Sequence, residues 1–380
     1  MPVTSLGRRI LMITLSSTDH DNRVRNTGKS LADAGYSVRT VSLGSAHRLG
    51  PDDLILPRSA GRLLGIPGLA TGLVTLRLIR SLWRLRDVVD AYHCHDLPAL
   101  VFGVLACRTF NRAASLVYDA HEFETEQRPP PHGLRHRLFC WLERNCLPWV
   151  DEMITVSPLI ATAYAERYGI AVPTIVLNCP PFRPRRATDL LRSAHGIAPG
   201  ARIFLYQGGM SPGRGIPESI AAFAEADPTH AVLVFMGYGL LAETVERAAT
   251  LYPAVIWQPA VSPEVLPDYT ASADVGIVLI EDTCLSHRYS LPNKLFECIM
   301  ARIPVVGSPL PEISRVIRES GVGVIATEIN AAGIAAAVRE VVRLDPVPLA
   351  DALDRAAEVY CWEQQARVLA SLYERLTCAA

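Results

Sequence analysis

The residues best suited to chemistry lie in two stretches of the second half of the chain, and the first stretch is a glycine-rich loop. The segment from Tyr206 to Gly215 (YQGGMSPGRG) follows an apolar run typical of a strand and precedes a helical pattern. Gly208 and Gly209 would let the backbone approach a ligand closely, and Arg214 could hold a phosphate with its planar guanidinium. Taken alone, the segment also fits an ordinary glycine-rich turn.

The second stretch, Ser290 to Glu297 (SLPNKLFE), predicts a helix that begins near Asn293. Free N–H groups at a helix N-terminus favour an anion such as a diphosphate, and Lys294 adds a formal positive charge there. Glu297 lies one turn further on, where its carboxylate could accept hydrogen bonds from ribose hydroxyls. The alternative is a carboxylate that only complements the helix dipole.

Three other patterns match known motifs only formally. The segment 26–30 (NTGKS) ends like a phosphate-binding loop, but the first glycine of that motif would fall on Arg23. The segment 237–242 (GYGLLA) has the spacing of a dinucleotide-binding turn, yet the next predicted strand is followed by no acidic residue for a ribose, which favours a tight strand–helix turn. The segment 93–96 (HCHD) offers metal-ligating residue types. Because alternating residues on a strand point to opposite faces, structural or substrate-lining roles are favoured over a metal site.

The elements that must position these residues alternate between short apolar runs and helical patterns, as in parallel βαβ units. In the first half the predicted strands are Arg9–Leu15, Ser37–Leu43, Ala91–Cys94, Ser115–Tyr118, Glu152–Val156 and Thr174–Leu177. In the second half they are Ile203–Tyr206, Ala231–Met236, Ala254–Trp257, Val275–Leu279, Pro304–Val306 and Gly323–Ile325. The proline-rich segment Cys179–Arg186 (CPPFRPRR) is interpreted as the linker between the halves, and the chain from about Ile334 to Leu376 is predicted to be helical.

Two doubly wound parallel sheets of the Rossmann type follow from this alternation. Ligands of such sheets bind beyond the carboxyl ends of the strands, which places the expected site in a cleft between the two domains. A length of 380 residues also favours two α/β domains.

Composition narrows the class of protein further. A formal charge of −1 argues against a dedicated nucleic-acid binder. Nine cysteines are an odd number and too sparse for a disulfide scaffold, which favours a reducing compartment. The first residues are interpreted as a strand rather than a signal peptide, and no run reaches the roughly 20 apolar residues that would span a bilayer. A cytoplasmic protein is expected.

One apolar segment carries arginines at helical spacing. Residues 63–86 include Arg77, Arg80, Arg84 and Trp83. Such a stretch is typical of a basic amphipathic helix that lies on an anionic membrane, and equally of a core helix whose arginines face solvent. Contact with the inner face of the membrane is therefore a hypothesis.

Read together, these stretches resemble the retaining family 4 glycosyltransferases, which have the GT-B fold of two Rossmann-like domains. The resemblance runs over nearly the whole chain and depends on the order and spacing of several segments. They are His93–Leu97 (HCHDL), Val117–Glu122 (VYDAHE), Ile154–Ser157 (ITVS), Gly208–Gly215, Phe235–Gly239 (FMGYG), Asp268–Ile277 (DYTASADVGI), Ser290–Glu297 and a closing helix over Tyr360–Leu376.

The resemblance implies a domain organisation and a set of catalytic residues. It places an acceptor-side domain at 1–180, a donor-binding domain at 181–358, and a C-terminal helix at 359–380 that crosses back onto the first domain. Arg214 and Lys294 match the basic pair that holds the donor diphosphate and stabilises the departing nucleotide. His121 matches the histidine that faces the donor sugar.

The resemblance also implies binding residues around these three. Those expected to contact the donor are Gly208, Gly209, Arg214, Gly239, Leu291, Pro292, Asn293, Lys294 and Glu297, where Glu297 matches the second glutamate of a Glu-x7-Glu signature that binds the ribose. Acceptor-side candidates are Arg23, His95 and Glu122. Solvent exposure at a helix start is the alternative for Arg23. No metal or other cofactor is expected, because cationic side chains and a helix N-terminus replace a metal at the diphosphate.

The implied reaction moves a sugar from a nucleoside diphosphate sugar to an acceptor hydroxyl with retention at the anomeric carbon. Polysaccharide, glycolipid or glycosylated-metabolite biosynthesis would use it, with a small-molecule, glycan or lipid-linked acceptor and no nucleic acid. One residue departs from the pattern: Tyr289 stands where the first glutamate of the signature is expected. Tyr289 keeps open the alternative of a catalytically idle nucleotide-sugar-binding partner of another transferase. A sugar-nucleotide epimerase also stays open, because non-hydrolysing epimerases share the two-domain architecture.

Overall fold

The computed structural model describes residues 7–19, 21–44, 48–50, 52–57, 69–127 and 133–378. These residues form two compact units. The first unit comprises Met1–Val176 together with Gln365–Ala380, and the second comprises Leu177–Gln364.

The first unit is built on a seven-stranded sheet whose strands are all parallel. Its elements in chain order are β1 (Arg9–Ile13), α1 (Asn22–Asp33), β2 (Ser37–Leu43), β3 (Leu54–Leu56), α2 (Leu69–Leu85), β4 (Ala91–His95), α3 (Asp96–Thr109), β5 (Ser115–Ala120), α4 (Leu134–Cys146), β6 (Glu152–Thr155), α5 (Pro158–Tyr168) and β7 (Thr174–Ile175). The spatial order is β3-β2-β1-β4-β5-β6-β7, so the winding direction reverses between β1 and β4. A ligand site is expected at the carboxyl ends of such neighbouring strands.

The second unit is built on a six-stranded parallel sheet. Its elements are α6 (Leu190–His195), β8 (Arg202–Gly209), α7 (Ile216–Phe223), β9 (Ala231–Tyr238), α8 (Ala242–Leu251), β10 (Val255–Pro259), α9 (Leu266–Thr270), β11 (Val275–Val278), α10 (Leu285–Arg288), α11 (Asn293–Ala301), β12 (Val305–Gly307), α12 (Pro311–Ser320), β13 (Gly323–Ile325), α13 (Ala331–Val341) and α14 (Pro346–Val359). The order β10-β9-β8-β11-β12-β13 reverses between β8 and β11.

Alternation along β8 shows how this sheet divides its core. Ile203 and Leu205 are buried in a cluster with α11 and α12, whereas Phe204 and Tyr206 are buried in a cluster with α7 and α13. Successive strand residues point to opposite faces, so a strand covered on both sides must be apolar throughout. This requirement explains the continuous apolar runs in the sequence.

All the strands expected from the sequence are present, and β3 is an additional one. The segment 179–186, expected to be a linker, contains no helix or strand, and Cys179 is buried within the second unit. The last helix, α15 (Trp362–Cys378), starts in the second unit and contributes its residues from Gln365 onward to the first. Across the described residues, no helix combines the length and apolar character needed to cross a membrane.

Candidate active site

The loop after β8 is held at the carboxyl end of the second sheet by a residue that follows β11. The backbone N–H of Glu281 donates to the carbonyl of Gly213 at 3.0 Å, and its Oε1 accepts from the N–H of Gly215 at 3.2 Å. Glu281 therefore fixes the backbone on both sides of Arg214. The exposed Gly208 and Gly209 are the last two residues of β8, directly before this loop.

Lys294 lies in the first turn of α11 and has an unusual environment. Its Nζ is buried, has no hydrogen-bond partner among the described residues, and lies 3.9 Å from the centroid of the Tyr206 ring. Burial, and secondarily the charge of Arg214, lower the pKa of Lys294 to about 7. A buried cation without an anionic partner is costly, which indicates a site for an anion that the protein itself does not supply.

Glu297 lies one turn along α11 and is connected to β8. The Gln207 Nε2 donates to Glu297 Oε2 at 2.5 Å, and Gln207 Oε1 accepts from the Thr270 hydroxyl at 2.8 Å. Burial raises the pKa of Glu297, while Gln207 and Lys294 act in the opposite direction. We call Tyr206, Gln207, Lys294 and Glu297 the lysine cluster.

The other donor-site candidates surround this cluster. Leu291 is buried, Pro292 is the N-cap residue, and Asn293 is exposed at the first position of α11. Pro292 provides no side-chain cap, which suits a helix end that is to receive a ligand. Gly239 follows β9 with φ +142°, and a Cβ there would lie 2.4 Å from the carbonyl oxygen of Met210.

One residue near Arg214, His287, was not anticipated from the sequence. His287 on α10 shares a 2.8 Å hydrogen bond with the Thr283 hydroxyl, and its Cε1 lies 3.5 Å from the Cβ position of Gly213. Burial and the charge of Arg214 lower the pKa of His287. Tyr289, which replaces the expected glutamate, is partly buried at the end of α10.

In the first unit, the ends of β4 and β5 bring together a second group of polar residues. His93 and His95 lie on one face of β4 with their ring centroids 4.5 Å apart. His95 Nδ1 lies 3.0 Å from His121 Nε2 and 3.3 Å from an oxygen of Asp119. We call His93, His95, Asp119 and His121 the histidine cluster. Its members are buried, except that 15% of the His121 side chain is exposed.

The cluster separates the charge states of its histidines. Burial alone would raise the pKa of Asp119, yet Arg23 and the three histidines hold it well below its usual range. Burial, together with His95, lowers the pKa of His93 to about 4. Burial alone would also lower the pKa of His121, but Asp96 and Asp119 raise it to about 9. At neutral pH, His93 is therefore neutral and His121 is an imidazolium that is partly open to solvent.

Arg23, expected on the acceptor side or exposed at a helix start, is buried in the first unit. Its side chain is buried, its Nε and Nη2 donate to Asp119 at 2.6–3.0 Å, and its Nη1 donates to the Val176 carbonyl at 2.7 Å. The guanidinium therefore does not face solvent, and it donates to Asp119 and to the Val176 carbonyl. His95 is also buried, whereas Glu122 is exposed beyond β5.

Ligand atoms of His93, His95 and Asp119 lie within 4.8 Å of one another, a spacing that also suits a metal ion. Both oxygens of Asp119 already accept from Arg23, so a cation bound there would lie beside a buried guanidinium and be repelled by its charge. The charge of Asp119 serves Arg23 and the histidines instead. The two β4 histidines share a face because they are two residues apart on a strand, a consequence of the HCHD pattern that the sequence interpretation did not use.

The sequence and the structure were then compared with known proteins. A model described as Glycosyltransferase Family 4 matches residues 21–180, and one described as Glycosyl transferases group 1 matches residues 201–343. A comparison of the sequence with curated proteins gives no significant match.

Several solved structures are similar over nearly their full length. Sucrose-phosphate synthase from Thermosynechococcus elongatus has 17% identity and a TM-score of 0.77, covering 98% of this chain and 100% of that one. HepE of Anabaena in complex with UDP-glucose has 15% identity and a TM-score of 0.73, covering 97% and 99%. WaaG, a glycosyltransferase involved in lipopolysaccharide biosynthesis, has 14% identity and a TM-score of 0.67, covering 96% and 99%.

These likenesses confirm the predicted fold, two Rossmann-like parallel-sheet domains of the GT-B type. The two family models between them account for most of the chain, one in each half. The protein therefore belongs to the family 4/group 1 glycosyltransferases.

Proposed function

We propose that this glycosyltransferase moves a hexosyl group from a nucleoside diphosphate sugar to an acceptor hydroxyl, with retention at the anomeric carbon. The observation that carries the proposal is the Lys294 ammonium, which is buried without a hydrogen-bond partner among the described residues. A diphosphate placed at the start of α11 would supply the missing anion. Arg214, whose charge already acts on Lys294, would be its second cationic ligand.

The proposed chemistry depends on charge that develops at the leaving group. As the glycosidic bond weakens, negative charge accumulates on the departing diphosphate. Lys294, Arg214 and the N–H groups at the start of α11 are preorganised cationic or dipolar groups that stabilise this charge more strongly than that of the bound donor. These residues would replace a metal ion, so we expect activity without one.

Glu297, Gly208 and Gly209 would bind the nucleoside part of the donor. The carboxylate would accept hydrogen bonds from the ribose, while the exposed Gly208 and Gly209 allow the donor to lie against the backbone. HepE was solved with UDP-glucose, which makes uridine the first base to test here.

His121 would act on the sugar side, because it is the partly exposed member of the histidine cluster. Its imidazolium suits donation of a hydrogen bond to a sugar hydroxyl or to a developing negative charge. For retention we favour attack from the same face as the leaving phosphate, which assists in deprotonating the acceptor. Accumulation of a covalent glycosyl-enzyme when acceptor is omitted would contradict this route.

The test begins with donor binding. Thermal shift and calorimetry with uridine, guanosine, adenosine and thymidine diphosphate sugars should show one preferred nucleotide, because a ligand that binds only the folded state raises the melting temperature. Lys294→Ala and Glu297→Ala should both weaken binding of the preferred nucleotide. Once an acceptor is found, the anomeric configuration of the product, read by NMR, tests retention.

Tyr289 favours a second candidate, an idle nucleotide-sugar-binding partner of another transferase. That protein would bind donor with the same lysine cluster but show no turnover with any acceptor. Restoring the expected residue with Tyr289→Glu gives a direct comparison: a gain of transfer activity would support the idle-partner function. An epimerase would instead interconvert a nucleotide sugar without acceptor.

We further propose that the acceptor is reached at the cytoplasmic face of a membrane. Residues 63–68 of the segment 63–86 lie outside the described residues. In the described part, α2 exposes Leu76 and Trp83 beside Arg77, Arg80 and Arg84. The α4 helix exposes Leu134, Leu138 and Trp141 beside Arg135 and Arg137.

Both helices pack against α3. Apolar and cationic side chains together suit an anionic bilayer surface. We expect the protein to float with anionic vesicles and not with neutral ones. The double variant Leu76→Ser/Trp83→Ser should no longer float with anionic vesicles. Protein that stays in solution with anionic vesicles at low salt would contradict membrane contact.

A further inference from the structure

Three polar side chains in the second unit form a continuous hydrogen-bonded chain that ends on the partly buried Glu297. Thr270 closes α9, Gln207 lies near the end of β8, and Glu297 projects from α11. Thr270 and Gln207 are 1% and 2% exposed. An amide in this position is unusual, because the neighbouring residues of β8 that share its face, Ile203 and Leu205, are core hydrophobics.

The direction of the hydrogen bonds is fixed by chemistry. An ionised carboxylate only accepts, so the side of the Gln207 amide that faces Glu297 must be its NH₂ group. The amide oxygen then faces Thr270, whose hydroxyl donates to it at 2.8 Å. If the amide were reversed, its oxygen would meet Glu297 only when that carboxyl carried a proton. The orientation of the amide and the ionisation of Glu297 are therefore linked.

We infer that Gln207 and Thr270 are positioning residues that hold Glu297 as an oriented carboxylate acceptor for the donor ribose. The inference rests on the proposed function, in which Glu297 binds the ribose and Lys294 binds the diphosphate. It adds a determinant of specificity: the hydrogen bonds from Thr270 through Gln207 to Glu297 affect recognition of the nucleoside and do not affect recognition of the diphosphate. Burial raises the pKa of Glu297, so without the Gln207 donor the carboxyl would gain a proton more easily and would lose its acceptor character.

The chain offers a matched pair of variants at Thr270. Thr270→Val keeps the shape and removes the hydroxyl, whereas Thr270→Ser keeps the hydroxyl. Gln207→Leu removes the amide itself, and Gln258→Leu removes a glutamine on the edge strand β10, which pairs with His195 away from the lysine cluster.

The experiment measures binding of uridine, guanosine and adenosine diphosphate and, separately, of inorganic pyrophosphate, by calorimetry on the full chain. Pyrophosphate carries the anion without the ribose, so it reports on Lys294 and Arg214 alone. Gln207→Leu removes a hydrogen bond to the charged Glu297 and should weaken binding of the preferred nucleoside diphosphate about tenfold or more. Thr270→Val removes a hydrogen bond between two neutral groups and should weaken that binding about two- to tenfold. Pyrophosphate binding should stay unchanged, and Thr270→Ser and Gln258→Leu should bind both ligands like the wild type.

The outcomes separate this inference from the proposed function. Wild-type affinity for the nucleoside diphosphate in both Thr270→Val and Gln207→Leu would overturn the inference alone. Equal weakening of nucleoside diphosphate and pyrophosphate would also overturn it, because the residues would then only support the fold. Absence of binding of every nucleoside diphosphate to well-folded wild-type protein would overturn the proposed function, and this inference with it.

Discussion

At the scale of the residue, the choice of lysine at position 294 matters. The chain has only two lysines, and nearly all its other cations are arginines. Arginine stays charged when buried, whereas a buried lysine loses its proton readily. Because its ammonium has no hydrogen-bond partner among the described residues, Lys294 can exist neutral in the empty site and charged in the occupied one. The free-energy cost of a buried, unpaired charge is thereby avoided until the anion binds.

The affinity for a nucleoside diphosphate should accordingly fall as pH rises above neutrality. The folded-state pKa of Lys294 is about 7, so above this pH the free site loses the proton, and binding must take one up. Affinity should then fall by up to about tenfold per pH unit. The pKa of His287 is lowered from its usual value, so its titration lies below this window.

Calorimetry at pH 8 in two buffers of different ionisation enthalpy measures the uptake directly, and should give close to one proton per site. Lys294→Arg should abolish the pH dependence while keeping a cation in place. Lys29→Ala, which removes the other, exposed lysine, is the control and should behave like the wild type. An affinity that is constant between pH 6 and pH 9 would show that Lys294 is already protonated in the empty site.

At the same scale, the sequence predicts some site residues and not others. Arg214, Lys294 and Glu297 could be proposed because each lies in a short segment whose glycine, proline and helix-start signals are local. Gln207, Thr270 and His287 could not, because their roles are defined by partners that are distant in sequence. The ion pair of Arg23 could not be predicted for the same reason: nothing local shows that its guanidinium donates to Asp119, 96 residues further on.

At the scale of the element, the ends of β8 and β9 are packed backbone to backbone. Gly239 has φ +142°, and a Cβ there would lie 2.4 Å from the Met210 carbonyl oxygen. A side chain must therefore push the two loops apart, since backbone cannot move aside as the end of a flexible side chain can. The loop that follows Gly209 and carries Arg214 depends on this close approach.

Gly239→Ala should weaken binding of the nucleoside diphosphate and lower the melting temperature. The matched control is Gly196→Ala, which also forces alanine into a positive φ (+61°) but meets nothing within 4 Å. The control should lose only about 1–2 kcal/mol for its backbone conformation, and its ligand affinity should be unchanged. Equal effects of the two variants on binding would show that the contact with Met210 does not shape the site.

A hydrogen bond joins the last helix, α15, to β4. The Tyr373 hydroxyl lies 2.8 Å from His93 Nδ1, and both side chains are fully buried. Because His93 is neutral and its Nε2 faces Asp119 at 3.5 Å, Nε2 carries the hydrogen and Tyr373 donates to Nδ1. The helix thus supplies a hydrogen-bond donor to Nδ1 of His93, the innermost residue of the histidine cluster.

Tyr373→Phe should lower the free energy of unfolding by about 1–3 kcal/mol, since it leaves a buried imidazole nitrogen without its donor. Tyr36→Phe is the matched control, because the Tyr36 ring packs against Tyr373 at 5.5 Å without bonding to His93. Urea unfolding followed by fluorescence compares the two. Similar stability of both variants would show that the ring of Tyr373, and not its hydroxyl, anchors α15.

Also at this scale, the strands were predictable because burial on both faces forces apolar runs. The exception is β3, whose three residues, Leu54–Leu56, are too few to give a recognisable pattern. The pairing of α15 with the first unit was available only from the family resemblance, because Tyr373 and His93 are 280 residues apart. Amphipathic patterns show that a helix packs, and they do not show on what.

At the scale of the whole molecule, both sheets place their candidate residues at the point where the strand order reverses. In the first unit, His95 ends β4 and Asp96 follows it, and β4 pairs with β1 across that point. In the second unit, the Arg214 loop follows β8, and Glu281 follows the neighbouring β11. Two sheets with the same winding thus present different chemistry, a histidine–carboxylate cluster in one and cations in the other.

This division predicts that the second unit alone suffices for nucleotide binding. It is one continuous segment, Leu177–Gln364, of ordinary domain size, and it contains every proposed donor-site residue other than His121. The isolated segment should fold cooperatively and bind the preferred nucleoside diphosphate with an affinity close to that of the full chain, while showing no transfer. Lys294→Ala within the segment should abolish that binding and is the control for specificity. A folded segment that binds no nucleotide would show that the first unit supplies contacts to the nucleotide itself, and the proposed assignment of the donor site would then have to include residues of the histidine cluster.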